Sequence, residues 1–148
     1  MNIYVDADAC PVTDMIIEEA KLFQLDVVLV KSYSHFSMKE TPSHVSIKYV
    51  DDGADAADYR IVQMVKHGDV VVTQDYGLAA LCLEKGCHVI HHIGFRYTKD
   101  KIDQMLQERH INAQARKAGI RTKGPKKFSE EQKNSFRLKL RKLLEQSS

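Results

Sequence analysis

Carboxylates recur in this chain where apolar runs end. The opening MNIYVDADACP sends Ile3-Tyr4-Val5 directly into Asp6 and Asp8. Further along, VVVTQD puts Thr73 at the end of a second apolar run and Asp75 just past it. GADAADYRI places Asp55 and Asp58 three residues apart at the start of a helical pattern, a spacing that shares one face. Unpaired buried charges destabilise a fold, so acids in these places point to function. Gathered carboxylates also repel one another. A hard divalent cation removes that conflict, and oxygen-rich sites suit Mg²⁺ or Mn²⁺. The expected ligands are Asp6, Asp8, Asp75 and one helix acid, Asp58 or Asp55, with Thr73 in the same catalytic cup. Structural roles compete with this reading. Asp55 and Asp58 suit a helix N-terminus for dipole reasons alone, and Asp8 could cap the helix beginning near Pro11.

The elements that must position these acids follow from periodicity. Residues 2–6 read as a strand, and Pro11 suits a helix start. Val12, Met15, Ile16, Ala20 and Phe23 then recur at helical spacing. Asp26 to Lys31 is nearly continuous apolar sequence, as in a strand covered on both faces. Residues 32–44 read as an irregular loop, and 45–50 alternate like a third strand. A helix over Ala54 to Val65, a strand over 69–73, a helix over 78–85 and a strand over 87–91 complete the pattern. Strands alternating with helices predict an α/β fold with a mostly parallel, doubly wound sheet of five strands. In such sheets ligands bind beyond the carboxyl ends of the strands, at the switch point. Strand 1 and the VVVT strand are the expected neighbours there.

After residue 95 the character changes. Residues 1–95 carry 7 Lys/Arg against 14 Asp/Glu, a net of −7, whereas residues 96–148 carry 15 against 6, a net of +9. The expected division is an acidic α/β domain over 1–95 and a basic helical region over 96–148, packed on the same domain. Thr98 could cap one helix, and Ser129 with Gln132 has capping-box spacing for a last one. That helix sets Phe136, Leu140, Leu143 and Leu144 on one stripe. The charge asymmetry points to a polyanion. The candidate nucleic-acid contacts are Arg96, Arg116, Lys117, Arg121, Lys123, Lys126 and Lys127; Arg96 and Tyr97, just after the last strand, could meet a phosphate and a base or could equally be edge residues.

No 18-residue apolar stretch is present, so no membrane span is expected. The N-terminus lacks a basic n-region, so no secretory signal is expected. Three Cys without such a signal fit a reducing cytoplasm. Cys10 at a helix start is read as packing, and the spacing of Cys82, Cys87, His88, His91 and His92 is not that of a usual zinc site.

VDADACPV, GADAADYRIV and GDVVVTQDYGLA, in this order and spacing, resemble the bacterial YaiI/YqxD family. The similarity covers most of the chain, including FRYT and the basic region. That family is grouped with the PIN-like domains, which include metal-dependent ribonucleases. The resemblance implies a PIN-like parallel sheet with an acidic cup. Asp6 matches the first strand acid of that pattern, Asp75 the later Thr-x-Asp acid, and Asp55 or Asp58 the acid on the helix before it. Two positions depart from the pattern. No Glu on an earlier helix can be placed, since Glu40 falls in the irregular loop, and Gly77 stands where another acid is common. Asp8 is the available substitute.

The leading expectation is a divalent-metal-dependent nuclease acting on RNA or another nucleic acid, with a homo-oligomer compatible with it. One alternative is a nucleic-acid binder with a degenerate PIN-like site. The other is a haloacid-dehalogenase-like phosphohydrolase using the Asp6/Asp8 pair, although such enzymes usually place Thr where Cys10 stands and need a cap insertion.

Overall fold

In the computed structural model, Asn2–Asp6 forms β1 and Thr13–Leu22 forms α1. Asp26–Ser32 forms β2, Val45–Val50 β3, Ala56–Met64 α2 and Val70–Val72 β4. Tyr76–Glu84 forms α3, His88–Ile90 β5, Lys99–Lys117 α4 and Glu130–Ser147 α5. The structure describes residues 1–38, 40–53, 55–117 and 128–147.

The five strands pair in the order β3-β2-β1-β4-β5, all parallel. The chain winds outward from β1 to β3, then crosses back through α2 to β4. The switch point therefore lies between β1 and β4, as expected, in an order consistent with a PIN-like fold. Alternation assigns each strand residue to a layer. Ile3 and Val5 face α1 and α5, whereas Tyr4 faces α2, α3 and α4. All three residues of β4 are buried, which is why this strand reads as an unbroken Val run.

Two differences from the sequence expectation are local. β4 is shorter than 69–73, although the flanking Asp69 carbonyl still accepts the His88 N–H at 2.8 Å and the Thr73 N–H still donates to the Ile90 carbonyl at 3.2 Å. The third helix starts at Tyr76 rather than Leu78 because Asp75 caps it. The β2–β3 crossover has no α-helix among its described residues, only a 3-10 turn at Tyr33–His35.

The last helix is part of the core. Phe136, Leu140, Leu143 and Leu144 are buried in the layer of Ile3, Val5 and Ile16. Burial of such side chains is worth about 1.5–3 kcal/mol each. Glu19 of α1 is fully buried, and Arg141 of α5 donates Nε to its Oε2 at 2.9 Å and Nη2 to its Oε1 at 2.7 Å. Arg137 donates to Glu18 at 2.7 Å. Ser129 and Gln132 exchange the reciprocal capping-box bonds, 2.9 and 3.1 Å, that their spacing predicts. Among the described residues, no helix is long and apolar enough to cross a membrane.

Candidate active site

Asp6 ends β1, and Thr73 directly follows β4. Pairing of Val5 with Val72 sets the two side by side. Thr73 Oγ1 donates to Asp6 Oδ2 at 3.2 Å and accepts the Asp75 backbone N–H at 3.0 Å. A single buried hydroxyl thus joins the acid of one strand end to the acid of the next. Below it, Tyr97 donates its phenol to the Thr73 carbonyl at 3.2 Å. Tyr97 is 2% exposed, so it is the floor of the site and cannot meet a base. The cause is the antiparallel bridge between Ile90 and Arg96, which folds this segment back onto β5.

Asp75 is the N-cap of α3. Its Oδ1 accepts the N–H groups of Gly77 at 2.8 Å and Leu78 at 3.2 Å. A Cβ at Gly77 would stand 3.1 Å from that oxygen. This close approach is a physical reason for glycine where the resembled nucleases carry another acid.

Asp58 enters from the first turn of α2. Burial first, then the charges of Asp75 and Asp6, hold its carboxyl far above the usual range, at about 7, and it shares a hydrogen bond with Asp75. Burial also raises Asp6, against the lowering hydrogen bond from Thr73, and the charges of Asp8 and Asp75 push the same way. Asp6, Asp58 and Asp75 therefore form one electrostatically coupled group from three elements. Asp55 is exposed at the N-cap of α2, makes no side-chain cap bond, and adds its repulsion to Asp58.

Asp8 acts on Asp6 through its charge, but its oxygens are bonded elsewhere. Its two oxygens accept the Ser32 backbone N–H at 3.0 and 3.1 Å, and Oδ1 lies 2.9 Å from His35 Nδ1. It ties the turn after β1 to the end of β2. His35 was missed in the sequence, where it sits in an irregular polar loop with no periodic signal. The glutamates of the first helix are committed elsewhere, Glu18 to Arg137 and Glu19 to Arg141.

The donor set is all oxygen, which is what a hard divalent cation selects, and repulsion among the acids is what a cation relieves. In chemistry the residues fit such an ion. Among the described residues, however, no three His, Cys, Asp or Glu side chains stand as a ready ligand group. Some of their oxygens have other partners: Asp75 Oδ1 caps α3, both oxygens of Asp8 hold Ser32, and Asp6 Oδ2 accepts from Thr73.

The expected nucleic-acid residues are only partly in view. Arg96 is exposed, but its guanidinium lies 2.9 Å from His88 Nδ1, at the opposite end of β5 from the acids. Arg116 and Lys117 end α4, and their side chains are outside the described set. Arg121, Lys123, Lys126 and Lys127 lie outside the described residues.

The remaining candidates have ordinary roles. Burial raises the Cys10 thiol, which disfavours a thiolate there. Cys82 and Cys87 are buried, and Cys87 Sγ donates to the Lys66 carbonyl at 3.4 Å. His91 is held at about 4 by burial and by His92, so it is neutral, and it stacks on Phe95 at 4.7 Å.

A parallel α/β sandwich with crowded carboxylates at its switch point is the class of protein that this fold and site define. Within it, the chain belongs to the YaiI/YqxD family. The family model described as "Uncharacterized BCR, YaiI/YqxD family" matches residues 4–146. A UPF0178 protein of Oceanobacillus iheyensis is 59% identical over 136 residues, covering 92% of this chain and 93% of its own. A UPF0178 protein of Bacillus cereus strain G9842 is 59% identical over 137 residues, covering 93% and 94%. One from Bacillus mycoides is 55% identical over 144 residues, covering 97% and 99%. No solved structure matches the chain.

Proposed function

We propose that this protein is a divalent-metal-dependent nuclease of PIN-like type that acts on RNA. One observation carries the reading. Carboxylates from the end of β1, the first turn of α2 and the β4–α3 junction meet at the switch point, with Asp58 held at about 7. Such perturbed groups in a crevice mark functional sites.

In this reading Asp6, Asp58 and Asp75 would hold Mg²⁺ or Mn²⁺. When bound, the ion supplies positive charge for the phosphodiester and lowers the pKa of a water. The chain's own residues prepare the place. Thr73 orients Asp6 and the backbone of Asp75, and Tyr97 holds the Thr73 carbonyl. Asp58, near 7 without the ion, would give up its proton to hold the cation. Asp8 keeps the end of β2 against the β1 turn. The net +9 of residues 96–148 attracts the phosphate backbone, with affinity that falls as salt rises.

A binder with a degenerate site has one observation in its favour, the lack of a ready ligand trio among the described residues. The haloacid-dehalogenase-like alternative has less support, because Asp8 turns toward Ser32 and His35 rather than toward a shared substrate with Asp6.

Asp75→Asn is the direct test, since Asn caps a helix as well as Asp does and the fold is kept. Cleavage of an oligoribonucleotide in Mn²⁺ is expected to fall by more than about a hundredfold, beyond the loss typical of residues that merely support a ligand. Unchanged cleavage removes Asp75 from the mechanism. No cleavage by the native chain in either metal transfers the reading to the binder.

A further inference from the structure

A group of exposed rings lies beside the crevice. Tyr33 directly follows Ser32, whose N–H is held by Asp8, and Tyr59 directly follows Asp58. Tyr33, Tyr49 and Tyr59 line one shallow depression of about 300 Å³, together with Asp51, Arg60 and Gln63. Tyr33 is 57% exposed, Phe36 58% and Tyr59 70%. The rings of Tyr33 and Tyr49 stack with centroids 5.8 Å apart and planes at 19°, and Phe36 leans on Tyr49 at 5.1 Å. Exposed aromatic surface gathered in this way marks an interaction site.

The polar groups of the depression decide its occupant. Asp51 is poorly suited to a phosphate but well suited to the amino group of a base. Gln63 offers both a donor and an acceptor, and the Arg60 guanidinium can lie flat on a ring. The combination suits flat, polar-edged heterocycles, and its neighbours in sequence are the acids of the crevice. Unpaired bases stack on such surfaces with little regard to sequence, whereas a duplex keeps its base faces inside.

We propose that this depression is a base-stacking subsite, which receives the bases of a single strand whose backbone passes the acid crevice. It rests on the reading of that crevice as a nuclease site. Tyr59 and Tyr33, which adjoin Asp58 and Ser32 in sequence, take the nearest bases, and Tyr49 backs Tyr33. The substrate is then single-stranded, and bases rather than phosphates provide the contact here.

The test compares two fluorescein-labelled strands of about ten nucleotides, within the usual site size of single-strand binders. One is an oligoadenylate and the other an abasic ribose-phosphate strand of equal length. Anisotropy is read on the full chain in EDTA, so that binding is measured without cleavage. The native chain is expected to prefer the oligoadenylate by about tenfold or more, the order of one or more stacked bases. The double variant Tyr33→Ala, Tyr59→Ala loses that preference, and Tyr33→Phe with Tyr59→Phe keeps it because the ring faces remain. Equal affinity of the native chain for both strands, or binding to neither, overturns the subsite. So does a preference that survives the alanine variant. A change of oligomeric state in the alanine variant with the preference intact overturns it too, and gives the patch to a second copy. Cleavage in Mn²⁺ is scored separately: its absence with the base preference present removes the nuclease reading and leaves the subsite.

Discussion

Asp69 and Asp75 flank the same short strand and face different fates. Asp69, before β4, is 6% exposed. Its Oδ1 accepts the Asn2 N–H at 3.0 Å and its Oδ2 the Lys66 N–H at 2.8 Å. Each oxygen has a backbone donor, so the charge fastens the start of β1 to the turn before β4. Beyond β4, Asp75 also has backbone donors at its cap, but Asp58 and Asp6 crowd beside it. A buried aspartate met by N–H groups is a rivet. Burial, with crowding by the charges of Asp75 and Asp6, instead lets Asp58 hold a proton up to about 7, and that is a chemical resource. Around β4 the first kind stands before the amino end of the strand and the crowded kind past its carboxyl end.

The sharpest way to break this contrast is Asp69→Ala. It leaves two backbone donors without their charged acceptor, at a cost of about 2–4 kcal/mol. Urea unfolding measures it, and cleavage by the protein that remains folded is expected to be unchanged. A loss below about 1 kcal/mol would mean that Asp69 is no rivet.

Asp58→Asn is expected to act in the opposite direction and more weakly. The folded carboxyl at about 7 lies above its ordinary 3.8, so the folded chain binds the extra proton between those values. The contribution of Asp58 to stability is therefore complete below about pH 4 and is lost as pH rises through 7. The substitution removes a charge that the fold resists. It is expected to raise stability by roughly 1 kcal/mol near pH 8, well under the full electrostatic value because Asp58 is partly solvated. At about pH 4 it changes little. Equal effects at both pH values would place Asp58 with Asp69.

Much of this architecture was legible in the residues. The apolar runs predicted every strand, and the reversal of winding placed β1 beside β4, hence Asp6 beside Thr73. The stripe Phe136, Leu140, Leu143 and Leu144 is buried as its spacing predicts. What stayed hidden depends on contacts remote in sequence or on geometry that no period encodes. Asp8 and Asp6 are near twins in DAD, yet one meets a backbone N–H 24 residues away and the other a hydroxyl 67 residues away. Tyr97 looks available after the last strand until the bridge from Arg96 to Ile90 buries it. Asp69 in GDVVV looks much like Asp75 in TQD, because the donors that satisfy it come from Asn2 and Lys66.

The central claim is that the crowded carboxylates are there to receive a cation. Isothermal titration of Mn²⁺ into the native chain and into the double variant Asp6→Asn, Asp75→Asn, near neutral pH in two buffers of different ionisation heat, tests it most directly. Saturable binding that releases protons, as Asp58 gives up its own, and that vanishes in the double variant is the predicted result. The absence of saturable binding to the native chain, or equal binding to the variant, would contradict it.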